Sequence, residues 1–560
     1  MDIDPQAVEV TKLSLLLKVL EGESEASLAT QLRMFQERAL PDLDDNIKCG
    51  NSLIGPDFYD NEQMMLLDEE EHYRINVFDW KKSFPQVFQG DSPGFDVVIG
   101  NPPYIRIQAL KEFAPVEVEH YKRAYRAAGK GNYDIYVVFV ERGLSLLNKY
   151  GRLGYILPHK FFNAKYGAPV RELISEGRHL SEVVHFGDEQ VFTGATTYTC
   201  LIFLDRMASN EFRVEKVDDL TAWRTTGEAI EGKVPAASAT AEDWNFVVGA
   251  GAALFERLRQ MPVKLGDVTV RLYQGPITSA ITVYLFKNFR SGENGTTEVF
   301  SKQLGEWLEI ESDILRSVTR SGSVDRYHAA PTAVVLYPYN VEGTIAKLIS
   351  DAEMQRRYPL AWSYLMQNRG FLESRERGKF RDNQWYRFGR TQNLGMWEQP
   401  KVMVPYMITR LAAYLDQDGS YYFINVTTGG YGIIVNDLSG GLTYLCGLLN
   451  SRLLDYFFKH VSTNFNSGYF AANKQYIEQL PIRTIDLSAP EDIARHDQMV
   501  ELVERMLELH ERLAGAKIER ERTVIGHQIS ATDRQIDRLV YELYGLTDEE
   551  IRIVEEATDR

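Results

Sequence analysis

The run Phe95-Asp96-Val97-Val98-Ile99-Gly100 is broken at once by Asn101-Pro102-Pro103-Tyr104, and no other stretch constrains the chain as strongly. Three consecutive β-branched residues predict a buried strand of a parallel sheet. Two prolines cannot continue the ladder, so the strand must stop there. The tetrapeptide therefore occupies the carboxyl end of a strand, where open α/β sheets bind their ligands. Each proline removes a backbone donor and leaves its neighbours' carbonyls free to accept. Asn101 adds a side-chain acceptor and Tyr104 an aromatic face. Converging acceptors beside a ring suit a planar group that carries an exocyclic amino group.

The 560 residues allow roughly two to four domains. A hydrophobic share of 44% and a charged share of 25% are those of an ordinary globular chain. No apolar run reaches the ~20 residues of a membrane span, and no signal peptide opens the chain. Cys49, Cys200 and Cys446 lie far apart without paired spacing, which argues against a zinc site or a disulfide framework and fits a cytoplasmic protein. A net charge of −17 excludes non-specific nucleic-acid binding by the whole surface, so any such contact requires a local basic patch.

Several other segments carry polar residues at predicted strand ends. Met1-Asp2-Ile3-Asp4-Pro5 leads into an amphipathic helix from Ala7 to Leu20; Asp4 with Pro5 behind it suits a helix N-cap, and Asp2 suits a ribose-binding acid after a strand. Asn46-Ile47-Lys48-Cys49-Gly50-Asn51 and Val77-Phe78-Asp79-Trp80 each carry a polar turn residue, Asn51 and Asp79. Asn132-Tyr133-Asp134-Ile135-Tyr136 opens a helix to Leu147, with Val137, Val140, Leu144 and Leu147 at helical spacing. Gly151 to Pro158 reads as turn, strand and stop. His185 to Phe192 precedes a hairpin strand over Thr193 to Leu204. Phe192 is either a core aromatic or a ring that packs on a ligand.

Taken with Asn101-Pro102-Pro103-Tyr104, these segments resemble the motifs of adenine-N6 DNA methyltransferases of the Type IIG-like restriction–modification methylases. The resemblance implies a Rossmann-like α/β domain and S-adenosylmethionine as cofactor. It places Asn101, Pro102 and Tyr104 in catalysis, and Asp2, Pro103 and either Asn51 or Asp79 at the cofactor. It sets Phe192 opposite Tyr104 against a base flipped out of the duplex. On this resemblance the glycine-rich cofactor loop should precede residue 1, which predicts a catalytic domain incomplete at its N-terminus. Elsewhere only Gly249-Ala250-Gly251 could substitute, and it lacks a convincing acidic partner downstream.

The second half is less regular. From Arg356 to Arg410 basic residues interleave with aromatics, as in Phe380-Arg381 and Trp385-Tyr386-Arg387-Phe388-Gly389-Arg390. That pattern suits phosphate and base contacts, with Lys379, Arg387 and Arg390 as candidates, or else a solvated loop. The segment is similar to a target-recognition domain, as is Leu448–Phe458 paired with Asn473–Ile482. Two apolar stripes, Met499 to Leu513 and Ile525 to Leu543, predict a helical hairpin. The expected domains are a partial methyltransferase domain (1–206), an α+β recognition domain (207–490) and a helical hairpin (491–560). Three activities remain open: methylation of adenine in double-stranded DNA, methylation of another amino group such as a protein glutamine, or DNA binding without catalysis. The expected partners are DNA and an upstream domain or second subunit that supplies the cofactor loop and a nuclease. No metal and no membrane are expected.

Overall fold

The computed structural model describes residues 1–21, 42–60, 69–194, 197–425, 427–436, 441–462, 464–465 and 468–559. They form two compact units, Met1–Gly249 and Ala250–Arg560. The first unit extends beyond the expected boundary at 206 because two later strands complete its sheet.

That sheet holds β1 (Phe95–Gly100), β2 (Leu147–Pro158), β3 (Leu180–His185), β4 (Thr199–Asp205), β5 (Glu211–Lys216) and β6 (Ile230–Pro235), in the order β1-β2-β4-β3-β5-β6. β1 runs parallel to β2, β2 antiparallel to β4, and β4 antiparallel to β3. β1, β2 and β3 thus point the same way, and their carboxyl ends share one edge of the sheet. The expected hairpin strand is shorter than Thr193–Leu204; within that stretch Ala195 and Thr196 lie outside the described residues.

β1 departs from the expectation of a buried strand. It is the outer strand of the sheet, and among the described residues no strand pairs with its other side. Val98 packs on the core, whereas Val97 and Ile99 are 63% and 85% exposed. Their β-branched character reports strand propensity, and burial depends on neighbours that a local pattern does not specify.

Two helices show how differently apolar spacing can be used. α1 (Pro5–Leu20) is capped by Asp4, whose carboxylate accepts the Gln6 N–H at 2.8 Å. Val8 is buried, but Val10, Leu13, Leu15 and Leu17 are exposed. α2 (Tyr136–Leu146) buries Val137, Val140 and Leu144 and lies flush on β2. Gly143 permits that approach: a Cβ there would stand 2.4 Å from Leu153 and 2.6 Å from the Tyr155 hydroxyl.

The second unit is α+β. One four-stranded sheet has the order Tyr414–Asp416, Lys401–Pro405, Gly430–Val435, Thr269–Gln274; another has Tyr421–Phe423, Leu315–Thr319, Ala333–Leu336, Leu285–Phe286. Its core is aromatic, with Trp397, Tyr284, Tyr337 and Tyr422 all fully buried. Lys401 is also buried and pairs with Asp416 at 2.5 Å. Its helices include α3 (Arg369–Gly378), α4 (Gly441–Leu449), α5 (Pro490–Gly515), α6 (Glu519–Leu543) and α7 (Asp548–Thr558). α5 and α6 form the expected antiparallel pair, but they belong to this unit and a third helix follows. Met499 of α5 sits against Gly447 of α4, where an added Cβ would come within 2.5 Å of the Met499 sulfur. Arg326 and Asp533 form an ion pair that ties α6 to the β-structure.

Candidate functional site

The strand-end loop is held from both sides. Upstream, Gly100 lies over the Tyr155 ring, 3.1 Å from where its Cβ would be. Downstream, Ile135 N–H donates to Ile105 O and Ile107 N–H to Tyr133 O, each at 2.9 Å, and Arg106 bridges Asp134. Between these supports Pro102 is buried, Asn101 and Pro103 are exposed, and Tyr104 is half-buried. The prolines thus anchor the turn while Asn101 stays accessible.

The Tyr104 ring stands edge-on to Tyr136, with centroids 6.3 Å apart. Tyr136 is hydrogen-bonded to the Tyr166 hydroxyl at 2.8 Å, and Tyr166 donates to Asp134 at 3.0 Å. The Tyr104 hydroxyl points back to Asn101 Oδ1 at 2.7 Å, with Ile156 O at 3.2 Å. Burial pushes the Tyr104 phenol up to about 12, so it keeps its proton as the donor. The Asn101 acceptor is therefore not free, as the sequence suggested. An incoming amino group must take the place of the Tyr104 hydroxyl. The Pro102 carbonyl accepts no hydrogen bond among the described residues.

The loop after β3 reaches the same edge of the sheet. Gly187 adopts φ +56° there, and its N–H donates to His185 Nδ1 at 3.0 Å. Its carbonyl lies 3.3 Å from His159 Nε2, and His159 immediately follows β2. The two imidazoles sit 4.3 Å apart, centroid to centroid. Burial lowers His159 to about 4 and drives His185 down as well, so two neutral rings clip the loop. Beyond the clip Phe186 packs on Trp223, whereas Phe192 is half-exposed and makes no ring–ring contact among the described residues. The order β1-β2-β4-β3 puts three strand spacings, about 14 Å, between the Asn101 and His185 strands. The sequence reading missed both histidines. Their signal was a histidine at two successive strand ends, after Pro158 and after Val184.

The remaining candidates gather on short segments that lie side by side. Asp2 bridges Cys49 and Asn51 bridges Val77, both in parallel. Gly50 keeps these segments close, since a Cβ on it would stand 2.6 Å from the Phe78 ring. Asp4 caps the helix as the sequence suggested, and Asp2 is exposed with its carboxylate accepting the Asp4 N–H at 2.9 Å. Asn51 is 7% exposed, and its Oδ1 accepts Leu53 N–H. Asp79 is half-buried and caps the short helix Trp80–Ser83 through Lys81 and Lys82 N–H. Gly249-Ala250-Gly251 is a turn before the helix Ala252–Arg259, and Gly251 O accepts from the Tyr456 hydroxyl at 3.0 Å. Among the described residues no cluster of His, Cys, Asp or Glu could hold a metal, and no helix is long and apolar enough to cross a membrane.

In the second unit the basic-aromatic segment is built the other way round from its expected surface role. Phe380, Trp385, Tyr386 and Phe388 are buried, the last three within the main core. Their alternation with arginines fits a chain that dips into the core between exposed turns. Arg387 pairs with Asp382 at 2.7 Å, Arg390 with Glu376 at 2.7 Å, and Lys379 with Glu376 at 3.7 Å.

A Rossmann-like sheet with an Asn-Pro-Pro-Tyr loop at a strand end, followed by a separate α+β unit, is similar to restriction–modification methylases with an attached specificity domain. Residues 1–192 match the Eco57I restriction-modification methylase family, and residues 353–482 match the TaqI-like C-terminal specificity domain. The Type II restriction enzyme and methyltransferase RM.Eco57I of Escherichia coli is 29% identical, across 99% of this chain and 55% of its own length. The chain thus spans about half of that relative. The Type II methyltransferase M.PaeR7I of Pseudomonas aeruginosa is 24% identical over 81% of this chain and 71% of its own. Among solved structures, the Type IIL restriction-modification enzyme MmeI in complex with DNA shares the fold, with a TM-score of 0.51 at 12% identity over 83% of this chain and 57% of that one.

Proposed function

We propose that this chain carries the methyl-transfer and target-recognition parts of a site-specific adenine-N6 methyltransferase acting on double-stranded DNA in a restriction–modification system. The observation that carries the reading is the geometry of Asn101 to Tyr104: one exposed amide whose acceptor is held by the Tyr104 hydroxyl, one carbonyl without a partner among the described residues and one aromatic ring at a strand end.

An adenine in a duplex hides its amino group, so the base must leave the stack at a cost of a few kcal/mol. Tyr104 stacks on the flipped base and Phe192 takes its other face; stacking is worth roughly 1–3 kcal/mol per base. Asn101 Oδ1 exchanges the Tyr104 hydroxyl for one N6 hydrogen, and the Pro102 carbonyl accepts the other. That pulls the nitrogen toward tetrahedral geometry and frees its lone pair for attack, with positioning supplying most of the acceleration. S-adenosylmethionine supplies the methyl group. The residues present fit its nucleoside half: Asp2 offers an exposed carboxylate for ribose hydroxyls, Asn51 or Asp79 a polar contact for the adenine, and Pro103 an exposed apolar face. No cysteine nucleophile is needed, and no Pro-Cys pair exists in the chain.

One observation favours a second component. The bare side of β1, with Val97 and Ile99 exposed, and the exposed apolar residues of α1 suit a further strand and helix. Such a segment, on an upstream domain or a separate subunit, would complete the cofactor site and could carry a nuclease.

Incubation with duplex DNA and methyl-labelled S-adenosylmethionine, followed by nucleoside analysis, tests the reaction. Label in N6-methyladenine is expected; label in cytosine or in protein glutamine overturns it. Calorimetric titration of the chain with S-adenosylmethionine tests the second component. Micromolar binding by the chain alone would remove the need for one.

A further inference from the structure

Two adjacent non-glycine residues are left-handed at the end of α3. Glu376 (φ +47°, ψ +48°) and Arg377 (φ +61°, ψ +37°) are consecutive left-handed residues, followed by Gly378 at φ +83°. Left-handed conformations in two adjacent non-glycine residues cost energy and persist only where the surroundings over-determine them.

The surroundings here do so. Arg375, 6% exposed, donates to four carbonyls: Leu372 O at 2.8 Å, Thr278 O at 2.9 Å, Trp385 O at 2.7 Å and Arg387 O at 3.0 Å. Its guanidinium also lies over the Phe380 ring, 4.1 Å from the centroid. The next residue, Glu376, accepts from Arg390 at 2.7 Å and from Ser279 at 3.3 Å. Ser279 is itself left-handed, at φ +53°. Gly389 lets the two strands of this knot touch, because a Cβ there would collide with the Ser279 hydroxyl.

Of the charged residues from Arg375 to Lys379, Arg377 is left with nothing to hold; Arg381 beyond them is also exposed and unpaired among the described residues, but its backbone is not left-handed. Arg377 is exposed and has no ion pair or hydrogen bond among the described residues, while Arg375, Glu376 and Lys379 on either side are engaged. A phosphate contact tolerates a long flexible side chain and needs no fixed backbone. A base-edge contact needs its Cα held in register with the groove. We propose that Arg377 is a specificity-determining residue of the recognition domain, reading the O6/N7 edge of a guanine in the major groove. The proposal rests on the DNA-methyltransferase reading for its ligand. Arginine is the side chain that pairs bidentately with guanine, and lysine cannot reproduce that fork.

The test is to retain duplexes from a randomised double-stranded library on the full chain, at fixed salt, and sequence them. R377G and R377K are run beside it. Glycine favours the left-handed conformation, so R377G keeps the turn and unfolds no earlier than the parent in a thermal melt. The parent chain is expected to enrich a motif. R377G and R377K should lose the guanine preference at one position, by on the order of 10- to 100-fold, and keep the rest of the motif. An unchanged motif in R377G overturns the assignment. So does an equal fall in retention of all sequences without loss of preference, which marks a phosphate contact. A parent chain that enriches no motif overturns the DNA reading itself.

Discussion

Asn101–Tyr104 and Phe380–Arg390 both carry aromatic and polar side chains in close alternation, and the chain uses them in opposite ways. In the first, Asn101 and Pro103 stay outside and only Pro102 is buried. In the second, Trp385, Tyr386 and Phe388 turn inward, and Arg387 between them and Arg390 after them close ion pairs. The difference lies in what fixes each conformation. Proline constrains its own φ and deletes its own donor, so the first outcome is settled within four residues. An aromatic side chain goes wherever enough apolar area awaits it, and that area comes from distant strands.

The largest effect that could break this contrast is at Trp385. Trp385→Ala should lower unfolding stability by about 3–5 kcal/mol in urea titration, as for an aromatic removed from a core. A variant with parental stability and weakened DNA binding would return that ring to the surface. Asn101→Ala should cut methyl transfer at least about 10²-fold, the scale for one preorganised polar contact, with little change in stability. Near-parental turnover, measured with the cofactor site complete, would sink the role of the strand-end loop.

A smaller effect tests the loop clip. His159 has its pKa lowered to about 4 in the folded chain, below its ordinary value. Its contribution to stability is therefore present above pH ~6.5 and is lost as the pH falls through about 4. Between those values the parent should lose roughly 1–2 kcal/mol, discounted for the ring's partial exposure, and His159→Phe should lose less. Urea melts at pH 7 and pH 4.5 measure both; equal losses would mean the ring is solvated and the clip absent. The smallest effect is at the surface pair: Arg390→Ala should change stability by less than about 1 kcal/mol. A phosphate contact by the same residue would instead appear as a salt dependence of DNA binding shallower by about one unit of slope.

The sequence was most legible where an element's signal was local. Asp4 caps α1, Pro102 and Pro103 end β1, and the apolar stripes of α5 and α6 pair as their spacing implied. It misled where the outcome depended on a neighbour. Val97 and Ile99 read as buried because their types favour strands, yet the strand is outermost and they face solvent. The amide of Asn101 read as free, because nothing in the sequence shows Tyr104 folding back on it. His159 and His185, 26 positions apart in the sequence, meet only because two parallel strands end together. Lys379, Arg387 and Arg390 were singled out for their charge, whereas Arg377 is exposed without a partner among the described residues.

The outer edge of β1 also bears on how this chain behaves in a crowded solution. A strand with unpaired backbone groups and bare β-branched residues is a template on which other chains can lay down their own strands. The usual guards are weak here: Asp96, the single charge in β1, is held by Asn148 at 2.7 Å, and β1 itself contains no lysine or proline. Left uncovered, this edge makes self-association the main hazard of preparing the isolated chain. A segment that covered it would act as a solubility factor as well as a structural neighbour.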